Sequence, residues 1–283
     1  MKKLLSCATI IALLAVLGGC SSSSSTSTTT TVKSTIQTLE PGVLKVCLYP
    51  GFPPFATQAS DGTWSGWDVE FLQGFAKQQG LTLQPVVAAQ FDNIWMRPGN
   101  NECDIAGTGI SNTAARVAQT GSAAQWSDRY YTVDRSFAVK KGTVVNGITD
   151  LAGRTVIVTK NSAADIDVLA RLAQASITNT TVTYVDDEAT GAKQVAAAGP
   201  NGPVAYGGGT GSIQTLVQQI PGLELAWEHC LMLPGGTISS EPFNFVVRTA
   251  SAGLLSALNA FIAAPTPAYP GGLGSGRDCP TGS

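Results

Sequence analysis

The sequence predicts an α/β protein made of two successive units. Between about residues 43 and 262, short apolar runs alternate with longer amphipathic stretches. This alternation is typical of a mainly parallel sheet with helices packed against it. The pattern begins again near Gly142, after the strand-like segment SFAVK at 136–140. Each of the two units is too short to be a large enzyme domain.

The first unit begins with the strand-like segment VLKVCL at 43–48, which a stretch rich in Pro and Gly ends. A helix is predicted over 67–79, because its apolar residues recur three or four positions apart and Gly80 supplies a stop signal. Further strands are predicted at 81–87 and 104–106, and a short helix at 91–96.

The stretch GTGISNTAAR at 107–116 leads into the next predicted helix and places Arg116 in its first turn. A cation is mildly unfavourable there, because the helix dipole is positive at this end. Either an anion held with the free N–H groups compensates, or the side chain is solvated or pairs with a carboxylate such as Asp128. The stretch by itself favours the second explanation.

The second unit repeats the alternation of strands and helices. Asn161 and Ser162 precede its first helix as capping residues. Strands are predicted at 155–158, 181–184, 204–206, 223–227 and 243–248, and helices at 163–175, 188–198, 213–219 and 254–262.

The N-terminus carries the features of an export signal. Two lysines precede an apolar run at 4–17, which is too short to span a membrane and typical of a secretory signal. The run ends in Leu-Gly-Gly-Cys and resembles the lipobox of bacterial lipoproteins, in which Cys20 would be acylated and become the new N-terminus. An ordinary cleaved signal is the alternative. We therefore expect a lipoprotein signal peptide at 1–20, followed by a disordered Ser/Thr-rich tether at 21–40.

Four cysteines remain after the signal peptide. An even number in an exported chain predicts two disulfides, for which three pairings exist; we favour Cys47–Cys103 with Cys230–Cys279. A zinc site is the alternative, but the chain has no CxxC motif and His229 is its single histidine. We expect no metal.

Composition and motifs exclude several classes of function. The net charge is −2, and no basic run or aromatic-interleaved basic patch points to nucleic acid. The sequence contains no GxSxG, no P-loop GK[ST] and no GxGxxG after a strand. No cofactor is therefore expected.

Six segments of the chain carry a resemblance to a known family. They are LKVCLYPGFPPF (44–55), GWDVEFLQGFAKQQGL (66–81), CDIAGTGISNTAARV (103–117), WSDRYYTVDRSFAVKKGT (126–143), LAGRTVIVTKNSAAD (151–165) and EPFNFVVRTASAGLLSALNAFI (241–262). In this order they resemble the family 3 extracellular solute-binding proteins of ABC importers, the polar amino-acid-binding group. The resemblance implies a two-lobed periplasmic-binding-protein-like fold with two crossover strands, near 136–140 and 243–248. Lobe one would hold 41–137 and 246–283, and lobe two would hold 138–245.

The resemblance also implies a set of ligand-binding residues in the cleft between the lobes. Arg116 would grip the carboxylate of the ligand in a bidentate pair. The other implied residues are the aromatic pair Phe52 and Phe91, the loop residues Thr108, Gly109 and Ser111, and the second-lobe residues Asn161, Ser162 and Ala163. Phe52 and Phe91 have core packing as an alternative role, and Ser162 has helix capping.

One position departs from the family pattern. The amino-acid-binding members of the family usually have an acidic residue after the fourth strand of lobe two, which holds the ammonium group of the ligand. In this chain, residues 204–211 contain no carboxylate, and Gly207 to Gly209 occupy that place. An unpaired buried ammonium would cost several kcal/mol. Either another acid serves, with Asp68, Glu70, Asp165 and Glu241 as candidates, or the ligand is not an ordinary α-amino acid. Lys160 and Asn161 favour an acidic or polar ligand.

The resemblance implies a lipid-anchored, monomeric receptor on the extracytoplasmic face of the cell membrane. It would bind an amino acid or small organic acid and deliver it to an ABC permease and its ATPase, without catalytic residues. A sensor that reports to a signalling partner is the first alternative. A dehydratase-like enzyme for small acids on the same fold is the second, and it would need a general acid in the cleft.

Overall fold

The computed structural model describes residues 36–264 and Cys279. The predicted signal peptide, its lipidation site Cys20 and most of the predicted tether lie outside these residues. Within them, the chain forms two α/β lobes, each built on a five-stranded sheet. None of the helices described is long and apolar enough for a membrane crossing.

The strands and helices follow one another as expected for an α/β chain. In chain order the strands are β1 (Val43–Leu48), β2 (Gly51–Phe52), β3 (Ala56–Gln58), β4 (Trp64–Ser65), β5 (Thr82–Val87), β6 (Ile105–Ala106), β7 (Ala124–Trp126), β8 (Tyr131–Val133), β9 (Arg135–Lys140), β10 (Thr155–Thr159), β11 (Thr181–Val185), β12 (Ala205–Gly209), β13 (Leu223–His229), β14 (Leu231–Leu233), β15 (Thr237–Ser239), β16 (Glu241–Phe243) and β17 (Val246–Arg248). The helices are α1 (Trp67–Gln79), α2 (Ala114–Thr120), α3 (Ala163–Gln174), α4 (Glu188–Ala197), α5 (Thr210–Gln219) and α6 (Leu254–Ala263).

The first lobe is built on the sheet β5-β1-β6-β17-β7. Strand β1 runs parallel to β5 and β6, whereas β17 runs antiparallel to β6 and β7. Helix α1 buries Phe71, Leu72 and Phe75 in the core of this lobe. The helix ends at Gly80, whose left-handed conformation lets its N–H close the last turn.

The second lobe is built on the sheet β11-β10-β12-β9-β13. Strands β11, β10 and β12 are parallel, and β9 lies antiparallel between β12 and β13. Apolar side chains of successive strand residues pack on opposite faces: Val156 and Val158 belong to the same core cluster as Val168 of α3, and Ile157 belongs to a second cluster with Ile213 of α5. The carboxyl ends of β10 and β12 and the first turns of α3 and α5 meet at one edge of this sheet.

A two-stranded ribbon of β8 and β16 connects the lobes, with Tyr131 opposite Phe243 and Val133 opposite Glu241. The chain enters the second sheet between Val133 and Arg135 and returns to the first between Phe243 and Val246. The boundary predicted at 137/138 therefore falls inside β9. The strand predicted at 243–248 is two strands, because two residues between β16 and β17 leave the ladder.

Most predicted elements are present, with three further differences. The helix predicted at 91–96 is a single 3₁₀ turn at 94–96, because Asn93 before it is left-handed at φ 62°. Strand β12 continues through the glycines, and α5 begins at Thr210 instead of 213. The sheets contain more antiparallel pairs than expected, because strand direction depends on the connections and not on local sequence.

The end of the predicted tether and the cysteines are fixed to the folded body. Ile36 packs on the first core, and the N–H of Leu39 donates to Asp104 Oδ1 at 2.7 Å, so the folded body includes residues 36–40.

Disulfides join Cys47 to Cys103 and Cys230 to Cys279, which confirms the favoured pairing. The second disulfide ties Cys279, predicted to belong to lobe one, to the second lobe.

Candidate ligand-binding cleft

A small cavity lies between the two lobes and the ribbon that joins them. Its volume of about 20 Å³ accommodates a water molecule but not an amino acid, so the lobes are closed on each other. Its aromatic lining comes from Tyr49, Phe52, Phe91 and Phe243, and its polar lining from Ser111, Arg135, Thr159, Ser162, Glu188 and Glu241. A larger solute needs the lobes to move apart.

The loop that follows β6 is held by a buried carboxylate. Asp68 Oδ2 accepts hydrogen bonds from the N–H groups of Thr108 and Gly109, each at 2.7 Å, and from the Tyr130 hydroxyl at 2.9 Å. Burial raises the pKa of Asp68 to about 7, and these three donors lower it in part. Asp68 therefore fixes the loop and does not line the cavity.

Glycine is required at position 109. Its φ is +56°, and a Cβ there would lie 2.2 Å from Cε1 of Phe52. The absence of a side chain lets the Phe52 ring lie against the loop. The neighbouring Thr108 is also left-handed at φ 81°, and its hydroxyl accepts a hydrogen bond from the N–H of Tyr49 at 2.9 Å. Thr108 thus supports the cavity wall from behind.

Arg116 bridges the two lobes. The hydroxyl of Thr113 caps α2 by accepting from the Arg116 N–H at 3.3 Å. The guanidinium donates to the carbonyl of Ser111 at 3.1 Å and, across the cleft, to the carbonyl of Asn161 at 2.9 Å. It also lies over the Trp95 ring, 4.4 Å from the centroid. The side chain is buried, so the alternative of solvation or pairing with Asp128 is wrong.

The guanidinium of Arg116 forms no direct ion pair in the described part of the chain. No carboxylate there forms an ion pair with its guanidinium, and both hydrogen bonds above go to neutral carbonyl groups. Burial lowers the pKa of Arg116 to about 10, and the charge of Glu241 offsets this in part. A buried cation with no directly paired carboxylate is costly. The ligand-binding role predicted for Arg116 stays a prediction.

A second arginine in the cleft is already paired. Arg135 Nε lies 2.7 Å from Glu241 Oε2, and both side chains are buried. The Ser111 hydroxyl donates to the other oxygen of Glu241. Burial raises the pKa of Glu241, and the charge of Arg135 opposes that effect. Glu241, one of the four candidate acids, lines the cavity but is committed to this pair.

The second lobe presents the first turn of α3 to the cleft. The Ser162 hydroxyl caps the helix by accepting from the N–H of Asp165 at 3.3 Å, and Asp165 accepts from the N–H of Asn161 at 3.0 Å. Asn161 is left-handed at φ 57°, and its carbonyl reaches Arg116. Ser162 and Ala163 line the cavity. The capping role of Ser162 is confirmed. The Asp165 carboxylate accepts its hydrogen bond from the turn that begins α3.

Glu188 is an acid of the cavity that the sequence did not single out. It lies in the first turn of α4, after the N-cap Asp187, and is 4% exposed. Its Oε2 has no hydrogen-bond partner within the described residues. Burial raises its pKa to about 8, while the Ser212 hydroxyl and the charge of Arg135 lower it in part. A glutamate in a first helical turn is common because of the helix dipole, so local sequence does not mark it.

The structure brings most of the predicted ligand-binding residues to one place. The cavity is lined by six of them: Phe52, Phe91, Gly109, Ser111, Ser162 and Ala163. Arg116 contacts Asn161 where the lobes touch, and Thr108 lies behind the loop. Their contacts with a ligand stay predictions. Glu70 is exposed on α1, away from the cavity. Tyr49, Thr159 and Phe243 line the cavity without having been predicted, and they carry no local signal beyond their positions near strand ends.

Comparison with known proteins gives a family and a fold. A sequence profile of the bacterial extracellular solute-binding proteins, family 3, matches residues 44–266. Among curated proteins, none matches the chain.

Three solved structures illustrate the likeness in fold. An ancestral arginine-binding protein bound to arginine is 24% identical, with a TM-score of 0.66 over 78% of this chain and 91% of its own. The amino acid ABC transporter substrate-binding protein AbpA from Streptococcus pneumoniae, bound to L-arginine, is 22% identical, with a TM-score of 0.65 over 78% and 87%. The ancestral amino acid-binding protein AncCDT-1, a precursor of cyclohexadienyl dehydratase, is 18% identical, with a TM-score of 0.64 over 78% and 88%.

Proposed function

Because the chain belongs to the bacterial extracellular solute-binding proteins, family 3, we propose that it captures an amino acid or a related small carboxylate between its lobes. The observation that carries the proposal is the Arg116 guanidinium, which is buried where the lobes meet and has no ion-pair partner among the described residues. A ligand carboxylate would supply the missing charge in a bidentate pair.

The other predicted residues have roles in this proposal that follow from their positions. Phe52 and Phe91 flank the cavity and would hold the apolar part of the ligand between them. Ser111 would donate to the ligand from the first lobe. Ser162 and the N–H of Ala163, at the start of the 12-residue helix α3, would meet the carboxylate from the second lobe. Contacts from both lobes favour the closed state over the open one.

The side chain of the ligand would extend into a neighbouring cavity. This cavity has a volume of about 130 Å³ and shares Phe91 and Thr159 with the first. Asp92, Lys160 and Asp186 also line it, so charges of both signs face a side chain there. That mixture supports a polar amino acid, in agreement with the arginine bound to two of the structures described above.

Isothermal titration with the twenty standard amino acids tests the proposal. We expect at least one to bind, and Arg116→Met to weaken that binding about 100-fold, because the partner charge of the carboxylate is lost. Arg154→Met is the matched control, since Arg154 is exposed on the second lobe. Equal affinity of wild type and Arg116→Met for the same amino acid would contradict the assignment of Arg116.

We propose binding without chemical turnover of the ligand. The amino-acid-binding proteins of similar fold support this. Proton NMR of the bound ligand over a day gives the check, since appearance of a product would instead favour a dehydratase-like enzyme.

The receptor would be anchored to the outer face of the cell membrane through Cys20 and would deliver its solute, as a monomer, to an ABC permease and ATPase. The lipobox-like sequence and the family support this part of the proposal. The mass of the mature protein tests the anchor, because an unacylated N-terminus would exclude it. Loss of uptake of the labelled solute on deletion of the gene tests delivery, and unchanged uptake would favour a sensor.

A further inference from the structure

Glu188 differs from the other carboxylates around the cleft. Asp68 accepts three hydrogen bonds, Asp165 accepts bonds within its own helix turn, and Glu241 is paired with Arg135. Glu188 lines the cavity and is buried, yet it forms no ion pair with any described residue. Its Oε2, like one oxygen of each of the other three acids, has no hydrogen-bond partner among the described residues. Its distinguishing features are therefore its place in the cavity wall and the absence of an ion pair among those residues. The hydroxyls of Ser212 and Tyr206 and the charge of Arg135 favour its carboxylate form in part, but no described cation forms an ion pair with it.

The packing of Arg135 explains why the usual acidic position is glycine. A Cβ built on Gly209 would lie 3.0 Å from Cγ2 of Val133 and 3.1 Å from Nη2 of Arg135. The guanidinium thus lies in the space that a side chain at position 209 would need. A Cβ on Gly208 would lie 2.9 Å from Cδ1 of Ile213. A side chain at position 208 or 209 would require these neighbours to shift, which favours another element as the source of an acid for an ammonium group.

We infer that Glu188 is the acceptor for the ammonium group of the ligand. The inference rests on the proposed function. Arg116 in the first lobe is a buried cation without an ion-pair partner among the described residues, and Glu188 in the second lobe is a buried acid of the cavity wall whose Oε2 accepts no hydrogen bond from them. A zwitterion placed between them satisfies both groups, and each lobe then contributes one of the two charges. The ligand class is a primary amine that carries a carboxylate.

Binding of such a ligand is linked to the release of a proton. The ionisable groups that face Glu188 are Tyr49, Tyr206, Arg135 and the adjacent Asp187. Burial raises the pKa values of both tyrosines above their usual range, so they stay neutral near pH 7. The pKa of Glu188 itself is about 8, and an ammonium group favours its carboxylate form. At neutral pH the ligand displaces the proton to the buffer, and affinity rises as pH increases towards 8.

Isothermal titration with matched ligand pairs tests the inference. The probes are L-arginine with δ-guanidinovalerate and L-glutamine with glutaramate, where each second compound lacks the α-ammonium group. We expect wild type to prefer at least one amino compound over its partner by about 100-fold. Glu188→Gln should reduce this preference to about 5-fold or less. Titrations in phosphate and Tris, whose ionisation enthalpies differ, count the released protons.

The control is Glu70→Gln, which removes an exposed acid on α1 and should change neither quantity. Equal preference in wild type and Glu188→Gln, or binding of the amino compound by wild type without proton release at pH 7, overturns the inference. The proton count uses wild type alone, so it decides the matter even if the variant does not fold. Equal binding of the amino and des-amino compounds by wild type overturns only the inference on Glu188. Binding of none of the four probes overturns the inference, and binding of none of the twenty standard amino acids overturns the proposed function as well.

Discussion

Replacement of Asp68 by Asn should change the pH dependence of folding stability. The carboxylate is buried and holds the loop of Thr108 and Gly109 through Oδ2. Asn has nearly the same shape but carries no charge at any pH. If its amide oxygen takes the place of Oδ2, the amide NH₂ lies at the position of Oδ1, which has no hydrogen-bond partner within the described residues.

The pKa of Asp68 rises from 3.8 to about 7 on folding. The folded protein therefore holds a proton that the unfolded chain loses above about pH 4. The contribution of Asp68 to the free energy of unfolding of wild type is fully present below about pH 4. It falls as pH rises and levels off above about pH 7. A shift of about three units corresponds to about 4 kcal/mol.

The variant should thus be less stable than wild type at low pH and more stable at high pH. At about pH 4 an unsatisfied buried amide costs about 1–3 kcal/mol. Between about pH 4 and pH 8, wild type loses about 4 kcal/mol relative to Asp68→Asn, so the difference changes sign. Urea unfolding at intervals across this range measures the difference, and the exposed Glu70→Gln on the same helix is the control. A difference that stays constant within about 1 kcal/mol would refute the reasoning.

Two further substitutions test the geometry of the cleft. Gly109→Ala puts a Cβ against the Phe52 ring at a positive φ; we expect a loss of more than about 1 kcal/mol in urea unfolding and weaker ligand binding, and wild-type values for both would contradict the packing described. Arg135→Met leaves the buried Glu241 without its partner and should cost about 3–5 kcal/mol. Adding Glu241→Gln should restore part of this loss in a double-mutant cycle, whereas simple additivity would show that the pair is not coupled.

Local sequence predicts the elements whose signals are themselves local. Helix α1 has the predicted bounds, because the spacing of its apolar residues and the stop at Gly80 both act within a few residues. The cap of α3 by Ser162 was predictable for the same reason. The position of Arg116 in the cleft needed the resemblance to a family, since its stretch alone favoured a solvated or paired side chain.

Other features depend on contacts that sequence spacing does not encode. Strands β9 and β17 run antiparallel to their neighbours because the chain crosses between lobes, and their apolar residues give no sign of direction. Glu188 resembles any acid at the start of a helix, and Arg135 resembles any residue at a strand edge. The run of glycines at the end of β12 was the available signal: the absent acid there left open either another acid or a ligand that is not an ordinary α-amino acid.

The disulfide between Cys230 and Cys279 adds a third covalent connection between the lobes. Helix α6 packs in the core of the first lobe, whereas Cys230 follows the last strand of the second sheet. The bond closes a ring that runs through both lobes, including the ribbon strand β16. The chain from Ala264 to Cys279 can span at most roughly 50 Å. The ring therefore sets an upper limit to the separation of the two lobes, independently of the flexibility of the ribbon. An oxidising environment, which keeps this bond formed, would therefore maintain that limit.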